Sequence, residues 1–237
     1  TYRMTVNSTT PGVASNSNYG MIYPDNVQVF GASFSKKVNP QLTTFGELAY
    51  RHGQPLSFNA SDLLGAFFGR SPTSLLALRK NITAIPAGGT FDAYDRFDVV
   101  TGSLGASQVF PKALGADRVG LTGEVGFSHV NSLPSADMIR FGRGTAYGAA
   151  AYVGANGALT ACVDQVTGKT CTTEGYVTRN AWGVRLQASA TYGNALWGAT
   201  LTPSLMVAKD VRGWSHDNTF SEGRSLVRPA VRVDWAN

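Results

Sequence analysis

The residues that most often carry enzyme chemistry are sparse in this sequence and form no catalytic motif. Three histidines, His52, His129 and His216, are far apart, each near the end of a predicted strand. Residues 101–105 place Ser103 between glycines, but the spacing departs from the GxSxG elbow of serine hydrolases. No HExxH, EF-hand, Walker A or GxGxxG motif is present. We therefore expect no enzyme activity, no metal site and no cofactor.

Charged residues that recur at every second position within apolar stretches form a second group. They are Glu47, Arg51, Arg118, Glu124, Arg185, Arg228, Arg232 and Asp234. Residues two apart in a β-strand share a face, so these charges are expected to lie opposite an apolar face. Inside a barrel they would line a water-filled lumen, where the excess of arginine favours anions mildly. A lattice of salt bridges that only stiffens the wall is the alternative.

The two cysteines lie in a polar segment rich in glycine and threonine. The spacing of Cys162 and Cys171 fits neither a zinc site nor a CxxC redox motif. In an oxidising compartment we expect a disulfide that closes this segment and contributes about 2–3 kcal/mol. Two free thiols are the alternative.

The elements that must position these residues are strands, because alternation of apolar and polar residues dominates the chain. It is clearest over 181–192, where an apolar face begins at Trp182 and ends at Tyr192. Ten steps of about 3.3 Å, tilted by about 40°, cover roughly 25 Å, the height of a barrel's lipid-facing band. A turn at 193–195 then leads to a strand that begins near Trp197. Trp182, Tyr192, Trp197 and Trp235 are predicted to form aromatic girdles.

The connections between the seven predicted strands alternate in length. Short ones are expected near 36–41, 110–117 and 193–196, and long ones near 53–92, 131–175 and 210–225. This alternation is typical of a transmembrane antiparallel up-and-down β-barrel with short periplasmic turns and long extracellular loops. Bacterial single-chain barrels have even strand numbers, and open edges are not viable in lipid. We therefore expect an all-β segment of a larger outer-membrane barrel.

The first long connection is unusually apolar over residues 54–79. Ser61 or Asp62 can cap a short helix, and Ser71 with Pro72 resembles the start of a second one. The apolar side chains at issue are Leu56, Phe58, Leu63, Leu64, Phe67 and Phe68. They either pack on the barrel rim or act as a gate or apolar binding surface.

Composition bounds these interpretations without selecting among them. Only 15% of the 237 residues are charged, against about 25% in soluble domains, and mean hydropathy is −0.07. The same values fit a soluble β-sandwich. A net charge of +5 without a basic cluster gives no reason to expect nucleic-acid binding. The chain starts at Thr1 without signal-peptide features, so we expect a processed chain or a start within a longer protein.

Several motifs resemble one family. They are YPDNVQVFG at 23–31, ELAYR at 47–51 followed by QPL at 54–56, NASDLL at 59–64 and RPAVRVDW at 228–235. They are similar to the proteobacterial family named domain of unknown function 1302, and the similarity covers most of the chain. The resemblance implies an outer-membrane barrel, often encoded near exporters and lipoprotein-like partners, in bacteria that handle hydrophobic compounds. It implies no catalytic residues. It also implies that members of the family are longer than this chain.

The leading functional hypothesis is an outer-membrane channel that passes hydrophobic or amphipathic small molecules, with residues 54–79 as gate or loading surface. Outer-membrane lipids, such cargo and a periplasmic or exporter partner are the expected contacts. One alternative is a non-conducting structural barrel that binds a partner through its long loops. Another is an outer-membrane lipid or ester hydrolase whose groups converge from distant strands.

Overall fold

A computed structural model of the chain describes residues 1–10, 16–68, 75–143, 147 and 172–235. Within these ranges the fold consists of two antiparallel sheets and short helices. The main sheet has seven strands and follows the chain in order, each strand paired with its sequence neighbours in the sheet. Its strands are β3 (Gln28–Lys37), β4 (Leu42–Ser57), β6 (Tyr94–Pro111), β7 (Arg118–Val130), β8 (Asn180–Leu196), β9 (Ala199–Arg212) and β10 (Ser225–Asp234). The seven antiparallel strands expected from alternation are confirmed.

The main sheet is open in the described part of the chain. β3 and β10 form its two edges, and each pairs on one side only. Short connections at 38–41, 112–117 and 197–198 join the strands at one end. Long connections, 58–93, 131–179 and 213–224, leave and rejoin the strands at the other end. All the long connections therefore share one end of the sheet.

The turn between β8 and β9 lies later than expected. β8 continues to Leu196, and the turn consists of Trp197 (φ 48°) and Gly198 (φ 81°). Two consecutive positive φ values are typical of the type I′ turn, whose twist matches that of a hairpin. Residues 193–195 instead form an irregularity in the ladder, where Asn194 also has a positive φ. The predicted turn at 193–195 is therefore wrong, because a bulge there has the composition of a turn.

The first long connection also begins later than alternation predicts. After a register shift between Arg51 and Gln54, residues 54–57 pair again with β6. Gly53 lies inside the shift with φ 70°, a conformation that favours glycine. Such a bulge inserts an unpaired residue and moves the alternation out of phase, which ends the sequence pattern before the strand ends.

A small domain, here called the cap, covers the long-connection end of the main sheet. It contains the three-stranded sheet of β1 (Tyr2–Val6), β2 (Ser17–Met21) and β5 (Thr90–Asp92). It also contains α1 (Ala60–Phe67), α2 (Leu75–Lys80) and a 3-10 turn (Ile82–Ala84). None of the helices in the described ranges combines the length and apolar character needed to cross a membrane.

Helix α1 begins where a side chain supplies its first hydrogen bonds. The Asn59 side-chain oxygen accepts from the backbone N–H groups of Ser61 (3.1 Å) and Asp62 (3.2 Å). The expected N-terminal capping residue of this helix, Ser61 or Asp62, is therefore wrong by two or three residues. Asp62 instead pairs with Arg140 within the small cap domain, and Arg140 Nε donates to it at 2.7 Å. This pair joins α1 to the second long connection.

The core of the described residues lies in the cap and at the adjoining ends of β4, β6 and β7. Its fully buried members include Val6, Phe67, Ile82, Val99 and Phe141. Aromatic contacts link the pieces: the rings of Phe58 and Phe141 have centroids 5.2 Å apart. The main sheet is therefore packed at one end and carries exposed side chains along the rest of its length.

Candidate functional site

The register of the main sheet separates its residues into two faces. Residues directly opposite in antiparallel strands project to the same side. One row of opposite residues runs from Glu47 through Ser103, Gly126 and Gly183 to Asp210. The next row contains Glu124 and Arg185, and a further one contains Gln187, Met206 and Arg228. All eight predicted lumen residues lie on this side, here called the polar face.

The opposite side, here called the apolar face, carries aliphatic and aromatic side chains across the sheet. Large members that are at least 37% exposed include Phe30, Phe34, Leu48, Leu104, Phe127, Trp182, Val184, Leu186, Leu205, Val207, Val227 and Val231. They come from all seven strands. Contiguous apolar patches on soluble monomers rarely exceed a few hundred Å². An exposed face of this kind is typical of a surface that contacts another protein or a membrane.

Residues 213–224, here called the inward loop, fold onto the polar face at its long-connection end. The Phe220 ring lies over Gly126 of β7, where an added Cβ would lie 3.2 Å from the ring. Phe220 itself is 8% exposed. Gly213 (φ 81°) begins the loop where a Cβ would collide with the Asn180 carbonyl oxygen. Glycine at 126 and 213 thus leaves the space that the loop occupies.

Asp210 anchors the inward loop to the end of β9. Its carboxylate accepts hydrogen bonds from Ser221 N (2.9 Å) and Arg224 Nε (2.6 Å). The Asp210 backbone also pairs with Arg224 and Gly223. Asp210 is 7% exposed, so these bonds compensate for the desolvation of its charge. A single buried carboxylate therefore holds both ends of residues 221–224, here called the return segment of the loop.

A second carboxylate shapes the tip of the inward loop. Asp217 accepts from Ser215 Oγ (2.7 Å) and Thr219 N (3.0 Å). Burial tends to raise the pKa of the Asp217 carboxyl, but these hydrogen bonds outweigh burial and hold that pKa below its usual value. Burial lowers the pKa of the neighbouring His216. The tip therefore presents a stable carboxylate towards the sheet.

A cavity of about 250 Å³ lies between the inward loop and the polar face. Its charged lining residues are Glu47, Arg51, Glu124, Arg185, Asp210 and Asp217. Ser103, Gly126 and Ser128 supply small and hydroxyl-bearing positions between them, and Phe220 an aromatic one. Here the carboxylates outnumber the arginines. The predicted arginine excess lies nearer the short connections, at Arg118, Arg228 and Arg232.

The salt-bridge lattice expected as an alternative is not formed among the described residues. Of the eight predicted lumen residues, only Arg232 and Asp234 form an ion pair there, at 2.9 Å. Arg51 donates to Thr101 Oγ1 at 3.0 Å. Glu47, Glu124 and Arg185 have no ion pair within 4.0 Å among these residues. Their charges are available to water or solutes.

The predicted gate residues are mostly core residues of the cap. Leu56, Phe58, Leu63 and Phe67 are all at most 7% exposed. Leu64 is 47% exposed and, with Phe68, lines an apolar cavity of about 270 Å³ beside Tyr2 and Met4. Four of the six predicted gate residues are thus buried at the end of the sheet, and Leu64 and Phe68 form an accessible apolar surface.

The four predicted girdle residues lie at the two ends of the apolar face, with one exception. Trp182 is at the long-connection end of β8, and Tyr192 lies ten residues further along the strand. Trp235 directly follows β10 at the same end as Tyr192. Trp197 lies in the β8–β9 turn and is 91% exposed, so its assignment to a strand face is wrong.

The remaining candidates form no assembled site. His52 contacts Asp98 (2.8 Å), His129 contacts Asn180 (2.6 Å), and His216 is partly buried in the inward loop. Among the described residues no three His, Cys, Asp or Glu side chains are grouped as a metal site requires. Cys162 and Cys171 lie outside the described residues.

The sequence alone missed Asp210, Asp217 and Phe220. The sequence signal in this region is a polar segment between Gly213 and Gly223. This segment predicts a loop at 210–225 but not the face of the sheet onto which the loop folds. The direction of the loop depends on the space above Gly126, and that space exists only once β7, β8 and β9 have paired.

Comparison with known proteins gives one match. A family model described as "Protein of unknown function (DUF1302)" matches residues 1–237. No curated protein and no solved structure matches the chain significantly.

Proposed function

Because the chain belongs to the DUF1302 family, whose description assigns no activity, we propose its function from the structure: it forms part of the wall of a bacterial outer-membrane β-barrel channel that passes small amphipathic molecules. The observation that carries the proposal is the two-faced main sheet. One face is apolar and exposed, and the other is charged and partly covered by the inward loop.

The apolar face supports placement in a lipid bilayer. Leaving a large apolar side chain in water rather than burying it costs about 1.5–3 kcal/mol. The face exposes such residues on every strand, for example Leu104 (57%), Leu186 (56%) and Val231 (65%). Lipid removes this cost without a protein partner.

The length of the apolar face supports the same placement. From Trp182 to Tyr192 the strand rises by about 25 Å along the membrane normal if it is tilted by about 40°. Aromatic side chains near both ends suit the two interfaces of the bilayer, where an apolar ring meets water. Strands β4 and β6 continue beyond this band at the long-connection end, where the cap begins.

The open edges of the sheet define what the complete wall requires. In hydrocarbon every backbone N–H and C=O must be paired, so β3 and β10 cannot face lipid as free edges. We propose that both edges pair with further strands in the membrane and close the barrel around the polar face.

The inward loop supports a channel with a constriction. It covers part of the polar face and leaves a cavity lined by charges and by Phe220. A solute with a polar group and an apolar part can contact both kinds of lining. We propose that this loop, rather than residues 54–79, narrows the passage. Leu64 and Phe68 remain a loading surface for the apolar part of the cargo.

Planar-bilayer conductance of the full-length protein tests the channel directly. Discrete channels that amphipathic solutes block support it, and Leu64→Gln should weaken the block without changing the unblocked conductance. Leu78→Gln, an exposed position on α2 outside the Leu64 cavity, is the matched control. A silent bilayer would contradict a diffusion channel.

A non-conducting structural barrel is the second candidate. The observation that favours it is the coverage of the polar face, since the inward loop and the cap lie at the same end of the sheet. Exposed aromatic residues of the cap, Tyr19 (67%) and Tyr23 (86%), then supply a partner surface. A silent bilayer together with capture of a periplasmic or outer-membrane partner would favour this candidate.

A further inference from the structure

We infer that the cavity beneath the inward loop binds small zwitterions, molecules that carry a cationic and an anionic group on one short chain. The inference rests on the proposed function, because it names the solute class that such a channel would select. The inference is more specific than a polar channel lining, because it names one cavity as the binding site and two charged residues as the partners of the ligand.

The cavity is a built feature of the fold. Asp210 holds the return segment of the inward loop, and Phe220 seats the loop on Gly126. The floor consists of small residues on three strands, Ser103, Gly126 and Gly183. A volume of about 250 Å³ corresponds to roughly eight water molecules at about 30 Å³ each. A small organic solute fits this space.

Charges of both signs face the cavity without neutralising each other. Glu124 and Arg185 stand directly opposite across the β7–β8 ladder, where Cβ atoms are about 4.5–5.5 Å apart. Their charged atoms nevertheless do not come within 4.0 Å of each other. Glu47, on the far side of the cavity, likewise has no ionic partner among the described residues. A ligand's ammonium can therefore meet a carboxylate while its carboxylate meets a guanidinium.

A buried hydroxyl gives an independent indication of a ligand. Ser128 lines the cavity and is 4% exposed, yet its Oγ has no hydrogen-bond partner among the described residues. Buried polar atoms in native proteins almost always have a partner, including ordered water or ligand atoms. A polar solute in the cavity would supply that partner.

Three probes of matched length distinguish a zwitterion site from a simple ion site. They are 6-aminohexanoate, hexanoate and hexylammonium, titrated calorimetrically into the detergent-solubilised full-length protein. We expect 6-aminohexanoate to bind about tenfold or more tightly than either singly charged probe, because one charge-assisted hydrogen bond usually contributes about that factor to affinity. Equal affinity for hexanoate would indicate an anion site, and equal affinity for hexylammonium a cation site. Either result, or no binding at all, overturns the inference.

Variants identify the two partners. Glu124→Gln should weaken 6-aminohexanoate about tenfold and leave hexanoate unchanged, while Arg185→Gln should weaken it similarly and leave hexylammonium unchanged. Lys37→Gln removes a charge from the same face outside the cavity and should change nothing. If Lys37→Gln has the same effect as Arg185→Gln, general electrostatics rather than the cavity accounts for binding, and the inference fails.

The two proposals fail separately. Channels that conduct while the protein discriminates among none of the three probes contradict the zwitterion site alone. A silent bilayer with preserved zwitterion binding contradicts the channel alone.

Discussion

Two carboxylates, Asp210 and Asp62, hold the long connections in place, and they differ in their burial and in their partners. Asp210 is bonded by a partly exposed arginine and a backbone N–H, so its pairing is local to one loop. Asp62 is almost fully buried and pairs with Arg140, which joins two long connections. Burial raises the pKa of the Asp62 carboxyl and outweighs the opposite effect of Arg140. Removing Asp210 should therefore free a loop, whereas removing Asp62 should weaken the cap.

Asp210→Ala is expected to release the inward loop from the polar face. The lost hydrogen bonds contribute about 1–2 kcal/mol, because Arg224 is half exposed and its share is screened. Cleavage of residues 213–224 by added protease and single-channel conductance should both rise. Asp234→Ala breaks an exposed pair at the other end of the face and serves as control. Unchanged cleavage and conductance would show that Asp210 does not hold the loop.

The cap should lose a small part of its stability in acid through Asp92. The hydrogen bond from Arg3 holds the pKa of Asp92 below its usual 3.8. Because the folded pKa lies below the unfolded one, this stabilisation is present above pH 3.8 and is lost as pH falls through the folded pKa. We expect under about 1 kcal/mol, since the pair is largely exposed.

Hydrogen exchange of the 90–92 amides provides the measurement for Asp92. The wild type should be better protected than Asp92→Asn at pH 6, and the difference should vanish below the folded pKa. A difference that persists once the Asp92 carboxyl is protonated would mean that the ion pair is not its cause.

At the scale of the element, strand β8 shows most clearly how apolar and polar residues separate onto the two faces of the sheet. Its outward residues include Val184 and Leu186, and its inward residues include Arg185 and Gln187. In water, an exposed side chain such as Leu186 tolerates substitution with little change in stability. In lipid, the same position does not tolerate a charge. Adjacent residues of one strand can therefore test the environment of each face.

Leu186→Arg should destabilise the inserted protein by about 2–4 kcal/mol, the cost of arginine near the bilayer midplane on a lipid-facing strand. Gln187→Arg, one residue further on, projects to the polar face and should cost under about 1 kcal/mol. Urea unfolding in phospholipid vesicles measures both. Equal small effects would place the apolar face in water or against protein, and the membrane proposal would fail.

At the scale of the whole molecule, the two ends of the sheet differ in kind. One end has tight turns of a few residues, while the other carries the cap, the inward loop and the buried core. A wall that crosses a bilayer would place these ends in different compartments. The long-connection end is the expected extracellular one, as in up-and-down barrels.

Cysteine labelling of intact cells tests this orientation. In a variant with Cys162 and Cys171 replaced by serine, Leu78→Cys on the cap should react with a membrane-impermeant maleimide. Leu114→Cys in the 112–117 connection should not react until the cells are lysed. Both positions are well exposed, at 64% and 86%, so access rather than burial decides the outcome. Labelling of Leu114→Cys alone would reverse the orientation.

The sequence by itself determined the seven strands of the main sheet and the two faces of most of them. Alternation is a local property, since one buried or lipid-facing side forces a period of two at every strand. It also gave the eight charged residues of the polar face, from Glu47 to Asp234, which the register places on one side. Where a bulge changes the phase, at Gly53 and at 193–195, the same rule failed.

Only the tertiary structure decided how the long connections are used. The apolar residues of 54–79 were visible in the sequence, but their burial against Val6 and Phe141 depends on segments far away along the chain. The inward direction of 213–224 depends on the space over Gly126 and on Asp210, which belong to different strands. A loop's direction is set by contacts between distant residues, and no local pattern in the sequence records such contacts.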